Sequence, residues 1–305
     1  MKKLITIILS ITIMYSQNEI GGLTYFDFTN IEDASGFNLM RQYISVSGSS
    51  SDNMNYKVVI DVGRTDMDSR LTAFLKKAQV DHMTDYGKIS LGLIGMNTYG
   101  VQEKNWGYRF ISKSAIDKNK FSATADLGIG YSNTFMEDLH LSAQLTNGEG
   151  YKKFQEDNFY KFSLNATYGE KKLNKNDGYN LGFVFSTLPT ESDPINMISG
   201  FGGYAGNNLR IGTEYNMQTS GDLEQTIVSI TSNYRVIDNL DAYVRYDIYD
   251  ENTTDEMNGE NYLIAGLLLN CGNGLSVAPN VRMTSFEDSD MDNELEYKLN
   301  FQFKF

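Results

Sequence analysis

Large apolar residues alternate with polar ones in many stretches of this chain, and the last residues show the pattern most clearly. From Leu295 to Phe305 every second residue is Leu, Tyr or Phe, and the residues between them are Glu, Lys, Asn or Gln. Successive side chains of a β-strand point to opposite faces, so this stretch predicts a strand with one apolar face and one polar face.

The same alternation, interrupted by turn signals, predicts sixteen strands. They cover residues 20–28, 38–47, 54–62, 74–82, 87–96, 121–131, 139–146, 159–168, 178–186, 197–205, 209–217, 223–235, 239–249, 261–270, 275–286 and 294–305. Segment 197–205 is the weakest, because its glycines dilute the pattern. The longer connections are 63–73, 97–120, 147–158, 187–196, 250–260 and 287–293. Connections 169–177 and 218–222 fit the alternation of short and long poorly, so fourteen strands is the alternative.

These strands predict a membrane barrel. After the N-terminal segment the longest apolar run is 263–269, seven residues, which is too short to cross a bilayer as a helix. A membrane protein without such a helix closes its backbone hydrogen bonds between strands. We therefore expect an all-β fold, a single transmembrane antiparallel β-barrel over residues 17–305 with short periplasmic turns and longer outer loops. A soluble two-sheet protein exported to the periplasm is the rival fold.

The first residues predict export. Lys2 and Lys3 precede an apolar stretch over 4–15, so residues 1–16 have the pattern of a secretory signal peptide, with a retained membrane anchor as the alternative. An aromatic such as Phe305 at the end of the closing strand is typical of barrels that the outer-membrane assembly machinery recognises. The expected location is the outer membrane of a Gram-negative bacterium.

Composition narrows the function. Tyr (20) and Phe (17) are abundant while Pro is scarce (3), which suits strands and interfacial aromatic girdles. The net charge of −13 argues against a nucleic-acid partner. Cys271 is the single cysteine, which excludes an internal disulfide and a cysteine-based metal cluster. We expect no metal and no cofactor.

The polar faces of the predicted strands carry charges of both signs, as the lining of a water-filled channel does. A plugged barrel would show more apolar residues there. The charges nearly balance, so the lining alone does not predict ion selectivity. The candidate lumen residues are Arg41, Lys57, Asp61, Asp126, Lys161, Arg210, Glu214, Arg245 and Arg282.

Six segments, spread in order over most of the chain, resemble Gram-negative porins of the phosphate-selective porin O and P type. They are residues 36–48, 56–64, 106–114, 122–128, 147–151 and 278–282. The resemblance implies a sixteen-stranded barrel, often trimeric, that passes small solutes passively. Phosphate-selective members line the lumen with many arginines and lysines. This chain is acidic overall with a mixed lining, so the resemblance extends to the fold and the pore and not to the substrate.

The loop 97–120 is the candidate constriction. It is long, and long loops in compact domains are commonly functional; in sixteen-stranded porins the third loop folds into the lumen. Its candidate site residues are Lys104, Trp106, Arg109 and Lys113, which together predict a basic constriction and an anion preference. The alternative is a loop packed on the rim with its lysines in solvent.

Catalysis is the remaining rival. His140 and Ser142 are two residues apart and so share a strand face with Gln144. That face is the lumen, whereas the similar His and Ser pair of outer-membrane phospholipases faces lipid, so we expect no enzyme.

The expected function is passive diffusion of small hydrophilic solutes or ions through a homotrimer held in lipid and lipopolysaccharide. A plugged barrel that binds or adheres through its outer loops is the alternative.

Overall fold

The computed structural model describes residues 18–32, 34–65 and 68–305. The predicted signal peptide, residues 1–16, lies outside this part. Sixteen strands form one closed antiparallel barrel in which each strand pairs with its neighbours in the chain and β1 pairs with β16. The strands are β1 (Glu19–Ile31), β2 (Ala34–Ser51), β3 (Met54–Thr65), β4 (Asp68–Thr84), β5 (Gly87–Gly95), β6 (Ala125–Phe135), β7 (Leu139–Thr146), β8 (Lys161–Gly169), β9 (Gly178–Leu188), β10 (Ile195–Gly206), β11 (Leu209–Ser220), β12 (Leu223–Ile237), β13 (Leu240–Asp250), β14 (Gly259–Gly272), β15 (Leu275–Phe286) and β16 (Glu294–Lys304).

The predicted fold class and the count of sixteen strands are confirmed, including the glycine-diluted segment that became β10. One predicted long loop is wrong. β3 continues to Thr65 and β4 begins at Asp68, so most of 63–73 is strand. The charged residues there resemble a loop in composition, but the apolar residues Leu71 and Leu75 still alternate on the outer face, where both are about half exposed.

The two ends of the barrel differ. At the end where β1 begins and β16 finishes, here called the turn end, six of the seven connections have two or three residues. Asn207 and Asn208 make one of them with φ of 53° and 67°, the left-handed pair that tight hairpins use. The seventh, residues 170–177, has eight residues. The opposite end, here called the loop end, carries the longer connections, among them 96–124 and 147–160.

The barrel closes along an aromatic seam. The rings of Phe26 on β1 and Phe301 on β16 stack at a centroid distance of 4.6 Å with their planes 8° apart. The two residues are direct partners in the register. The apolar residues that the alternation predicted for the last strand therefore lie on the outer face, and one of them joins the last strand to the first.

The outer face is almost continuously apolar. Leu, Ile, Val, Phe and Tyr side chains from every strand are exposed on it, for example Leu181 (68%), Leu127 (51%) and Ile230 (52%). Soluble proteins rarely expose contiguous apolar patches of more than a few hundred Å². No helix among the described residues is long and apolar enough to span a membrane.

The aromatic seam predicts a measurable coupling. In detergent micelles, the Phe26→Ala and Phe301→Ala substitutions should couple by about 0.5–1.5 kcal/mol in a double-mutant cycle on the free energy of unfolding, because a ring pair is worth that much beyond its area. Phe183→Ala is the matched control, since Phe183 is exposed on the outer face (49%) and lies on β9, far from the seam. Equal coupling of Phe301 with Phe183 and with Phe26 would contradict the assignment.

Candidate functional site

The connection between β5 and β6, residues 96–124, folds into the barrel and is called the inner loop here. It contains two short helices, α1 (Gly100–Trp106) and α2 (Ala115–Lys118), which the sequence did not predict. Helix α1 ends at Gly107, whose φ is 79°. A Cβ there would lie 2.4 Å from a guanidinium nitrogen of Arg210, so glycine lets the loop turn and approach the wall.

Two apolar clusters bind the inner loop to one half of the barrel. The first joins Trp106, Tyr108, Phe110 and Ile111 of the loop to the wall residues Tyr25, Tyr243, Tyr262, Ile264, Leu268 and Ala278. The second joins Val101, Ala115, Ile116 and Phe121 to Val184, Met197, Phe201 and Ile227. The wall residues belong to β9, β10, β12–β15 and β1. Phe121, predicted as the first residue of a strand, is instead buried in this packing.

Three arginines from alternate strands hold the backbone of the inner loop. Arg210 of β11 donates from Nη2 to the carbonyl of Trp106 (3.0 Å). Arg282 of β15 donates from Nη2 to the carbonyl of Ile111 (2.6 Å). Arg245 of β13 donates from Nη1 to the carbonyl of Lys113. Hydrogen bonds from a charged donor are the stronger kind, and they satisfy carbonyls that no strand partner reaches.

These arginines are among the predicted lumen residues, and they do point into the barrel, but the inner loop covers them. Arg245 is 1% exposed, and its guanidinium also pairs with the Asp247 carboxylate, with Nε to Oδ1 at 2.8 Å. Glu214, another predicted lumen residue, is buried beside Arg245 and accepts a hydrogen bond from Asn216 Nδ2 at 3.3 Å. Around Arg245 and Arg282 the interior thus behaves as a packed core, whereas Arg210 also lines a space at the turn end.

The opposite half of the barrel is open. A cavity of about 440 Å³ lies at the loop end, lined by eight lysine or arginine side chains against two carboxylates. The cations are Arg41, Lys76, Arg109, Lys113, Lys120, Lys152, Lys153 and Lys161, and the acids are Asp117 and Glu149. A second cavity of about 620 Å³ lies at the turn end, and its charged lining is Lys88, Lys104, Lys171 and Asp85.

A buried carboxylate lies directly behind the lining of the loop-end cavity, in contact with Arg41 and Lys76. Asp61 is fully buried and faces Arg41 Nη1 at 3.4 Å and Lys76 Nζ at 3.9 Å. The hydroxyl of Tyr151 donates to Asp61 Oδ2 at 2.7 Å. Lys76 Nζ also lies 4.7 Å from the ring centre of Tyr43 and 5.5 Å from that of Tyr151, close enough for cation–π attraction. Two cations, one acid and two aromatic rings therefore meet on this wall.

A β-bulge at Lys76 interrupts the alternation along β4. In the pairing of β3 with β4, Val59 faces Lys77 and Ile60 faces Leu75, so Lys76 has no direct partner. A bulge adds a residue to one strand and redirects its side chains. Sequence alternation alone did not identify Lys76, although two adjacent lysines between apolar residues mark a break in the pattern.

On the inner loop, Arg109 is held by two carboxylates. Its Nε lies 3.0 Å from Glu103 Oε2 and its Nη2 lies 3.0 Å from Asp117 Oδ2. Burial raises the pKa of Glu103, and the neighbouring Arg109 charge opposes that rise. Burial also lowers the pKa of Lys104, and the charge of Lys172 adds to the effect. The positive charge of Arg109 is thus balanced largely by two carboxylates of the inner loop itself.

The other predicted residues lie in several places. Lys104 and Lys113 line the turn-end and loop-end cavities, respectively, while Trp106 is 2% exposed and donates from Nε1 to the carbonyl of Ser112 (2.9 Å). Asp126 accepts from the backbone N–H of Gly148 at 2.6 Å. Lys57 is exposed and pairs in register with Gln79, which lines the turn-end cavity. Their part in a solute pathway stays a prediction.

His140 and Ser142 both line the turn-end cavity, on the lumen side that their spacing predicted. Each has a different partner. His140 Nδ1 lies 2.8 Å from the hydroxyl of Thr134, and Ser142 accepts from Asn97 Nδ2 at 3.1 Å. His140 and Ser142 are thus engaged in separate hydrogen bonds. The absence of enzymatic activity remains an expectation.

Comparisons with solved structures identify the fold. The trimer form of OmpT from Vibrio cholerae aligns with a TM-score of 0.68 and 12% identity over 94% of this chain and 99% of that one. OmpF from Salmonella typhi, in complex with daunomycin, aligns at 0.70 and 11% over 94% and 97%. An anion-selective porin from Comamonas acidovorans aligns at 0.67 and 11% over 94% and 99%. No family model and no curated protein matches the chain. The chain therefore has the fold of a porin.

Loss of one arginine tether should loosen the inner loop. Arg282→Met removes the bonds to Ile111 and to Asn300 Oδ1, and a buried polar group left unpaired costs about 1–3 kcal/mol. Trypsin should then cut within residues 104–120 about tenfold faster, because cleavage follows the population of the open form. Arg235→Met is the control, since Arg235 is largely exposed and its ion pair is with Asp241 of the wall, at 3.7 Å. Equal cleavage rates in the two variants would exclude Arg282 as a tether.

Proposed function

We propose that the protein is an outer-membrane channel for the passive diffusion of small hydrophilic solutes, with a preference for anions. The observation that carries the proposal is the charge of the open half-lumen, where eight cations and two carboxylates line the loop-end cavity. The apolar outer face supports insertion into a bilayer, and the porin fold supports a channel.

The acidic and basic residues lie in different places, which explains how a chain with a net negative charge has a basic pathway. The net charge is −13, but two connections at the loop end, 251–258 and 287–293, hold seven acids and no lysine or arginine. The cations instead face a cleft with protein walls, where low dielectric and confinement strengthen their field. An ion in the lumen experiences mainly the nearby lysines and arginines, because exposed charges farther than about 8–10 Å are screened by salt.

The anion class is broader than phosphate. Clustered lysine and arginine side chains attract chloride and inorganic phosphate alike, and the Asp61 carboxylate offsets part of the positive charge of Arg41 and Lys76. The proposed assembly is a homotrimer in outer-membrane lipid and lipopolysaccharide, inserted by the barrel-assembly machinery and exported by the N-terminal signal. The trimer proposal draws on the OmpT trimer, to which this chain is similar in fold.

Two substitutions on one wall should shift ion selectivity in opposite directions. Asp61→Asn removes the acid that faces Arg41 and Lys76, so anion preference should rise; Lys76→Gln removes a cation, so it should fall. A unit charge about 4 Å from an ion contributes ~1 kcal/mol in water, which is about a fivefold change in the permeability of that ion and acts in opposite directions on anions and cations. The measurement is the reversal potential of purified protein in a planar bilayer under a potassium chloride gradient.

Lys304→Gln is the matched control, because Lys304 is exposed at the end of β16 and outside both cavities. If the Asp61 and Lys76 variants both keep the parent reversal potential, the ion path does not follow this wall. If the folded parent protein gives no conductance steps at all, the channel proposal fails. The plugged barrel that binds through its outer loops would then be the better explanation.

A further inference from the structure

The connection between β8 and β9, Glu170–Asp177, differs from every other turn at its end of the barrel and is called the inner turn here. Leu173 at its centre is 3% exposed. Apolar residues at the tips of neighbouring turns are open to solvent, with Met136 at 85% and Tyr86 at 80%. The inner turn therefore buries its apolar residue inside the barrel instead of projecting it outward.

Leu173 packs where the inner turn, the inner loop and the wall meet. A Cβ added to Gly203 of β10 would lie 2.7 Å from Leu173 Cδ1 and 2.8 Å from Asn105 Nδ2. Only a residue without a side chain leaves room for both groups at that point. Asn174 approaches the inner loop as well, since a Cβ on Gly107 would lie 3.1 Å from the Asn174 Cβ.

Two buried asparagines join the same elements by hydrogen bonds. Asn105 of α1 and Asn180 of β9 are 3% and 4% exposed, and each amide nitrogen donates to the other's oxygen at 2.9 Å. Asn180 Nδ2 also donates to the carbonyl of Glu170 at 2.7 Å. A reciprocal amide pair has a fixed geometry and satisfies both buried groups, so helix α1 has a defined position over the inner turn.

The inner turn is also ordered from within. The Glu170 carboxylate accepts from the backbone N–H of Lys172 at 2.7 Å and from Asn176 Nδ2 at 3.0 Å. The backbone N–H of Lys175 donates to the carbonyl of Lys172 at 2.8 Å. Such local bonds restrict the conformations of a loop, so the segment enters the barrel as a preformed unit.

This unit stands between two spaces at the turn end. Lys171 lines the cavity of about 620 Å³, which belongs to the open half of the barrel. Residues Leu173–Asp177 line a different space of about 430 Å³, which also has Tyr108 and Arg210 in its lining. Both of these residues belong to the contacts between the inner loop and the wall.

We propose that the inner turn is a second internal element of the channel, which supports the inner loop from the turn end and confines the exit path to the cavity lined by Lys171. Leu173, Asn105 and Asn180 are positioning residues in this arrangement. The proposal rests on the channel function proposed above. It assigns the control of the pore to two segments that enter the barrel from opposite ends and contact each other.

Two variants test the inner turn in planar bilayers. Replacing Glu170–Asp177 by Asn-Gly, the sequence of a tight hairpin turn, should raise single-channel conductance by about twofold, because the 430 Å³ space would join the exit path. Leu173→Ala should keep the mean conductance close to that of the parent and increase the open-channel noise, because the inner loop loses its support. Met136→Ala, a truncation at an exposed turn of the same end, should change neither quantity.

Proteolysis separates failure of this proposal from failure of the channel function. Leu173→Ala and Asn180→Ala should each speed tryptic cleavage of the inner loop several-fold, while Met136→Ala should not, and this readout needs no conductance. Parent-like cleavage rates in both variants would overturn the support role. Parent-like conductance in a folded Asn-Gly variant would overturn the confining role. If the Asn-Gly variant does not fold, the conductance of Lys171→Trp decides, because this side chain lines the proposed exit cavity: an unchanged value would overturn confinement, and a reduced value supports it.

Discussion

The charged hydrogen bonds from the barrel wall to the inner loop decide where the interior is open. A segment that crosses a barrel leaves carbonyl groups without strand partners, and an unpaired buried carbonyl is costly. Arg210, Arg245 and Arg282 supply the missing donors from three alternate strands. With its backbone held there, the inner loop presents its aromatic side to the same wall, and the apolar clusters form around Trp106. The turn-end and loop-end cavities lie on the other side of the loop.

Charge is distributed according to the same division. On the packed side, arginines are matched by acids or carbonyls, as Arg245 is by Asp247. On the open side, cations outnumber acids in the cavity lining. Part of this positive charge is neutralised on the open side. Arg109 pairs with Glu103 and Asp117, and Asp61 faces two cations. The open half of the interior thus has a basic character that the net charge of the chain does not show.

The barrel was predictable from sequence because side chains alternate between the two faces of a strand. In a membrane barrel the outward residues of each of the sixteen strands are apolar, so the alternation is visible along the whole chain. The interior was less predictable, because alternation says that a residue points inward and not what covers it. Arg245 and Lys161 have equivalent positions in the pattern, yet one is buried under the inner loop and the other lines a cavity. Lys76 was missed since a bulge shifts the register, and helices α1 and α2 depend on tertiary packing.

The uneven filling of the barrel places different constraints on substitution in its two halves. Inward positions on β9–β15 touch the inner loop, so they should change in concert with it, slowly and by volume-conserving exchanges, like the core of a globular protein. Inward positions that line the two cavities, such as Lys76 and Lys88, border open space and should vary more freely in size and charge. Exchanges there would alter the chemistry of the open half, while the packed half keeps the scaffold constant.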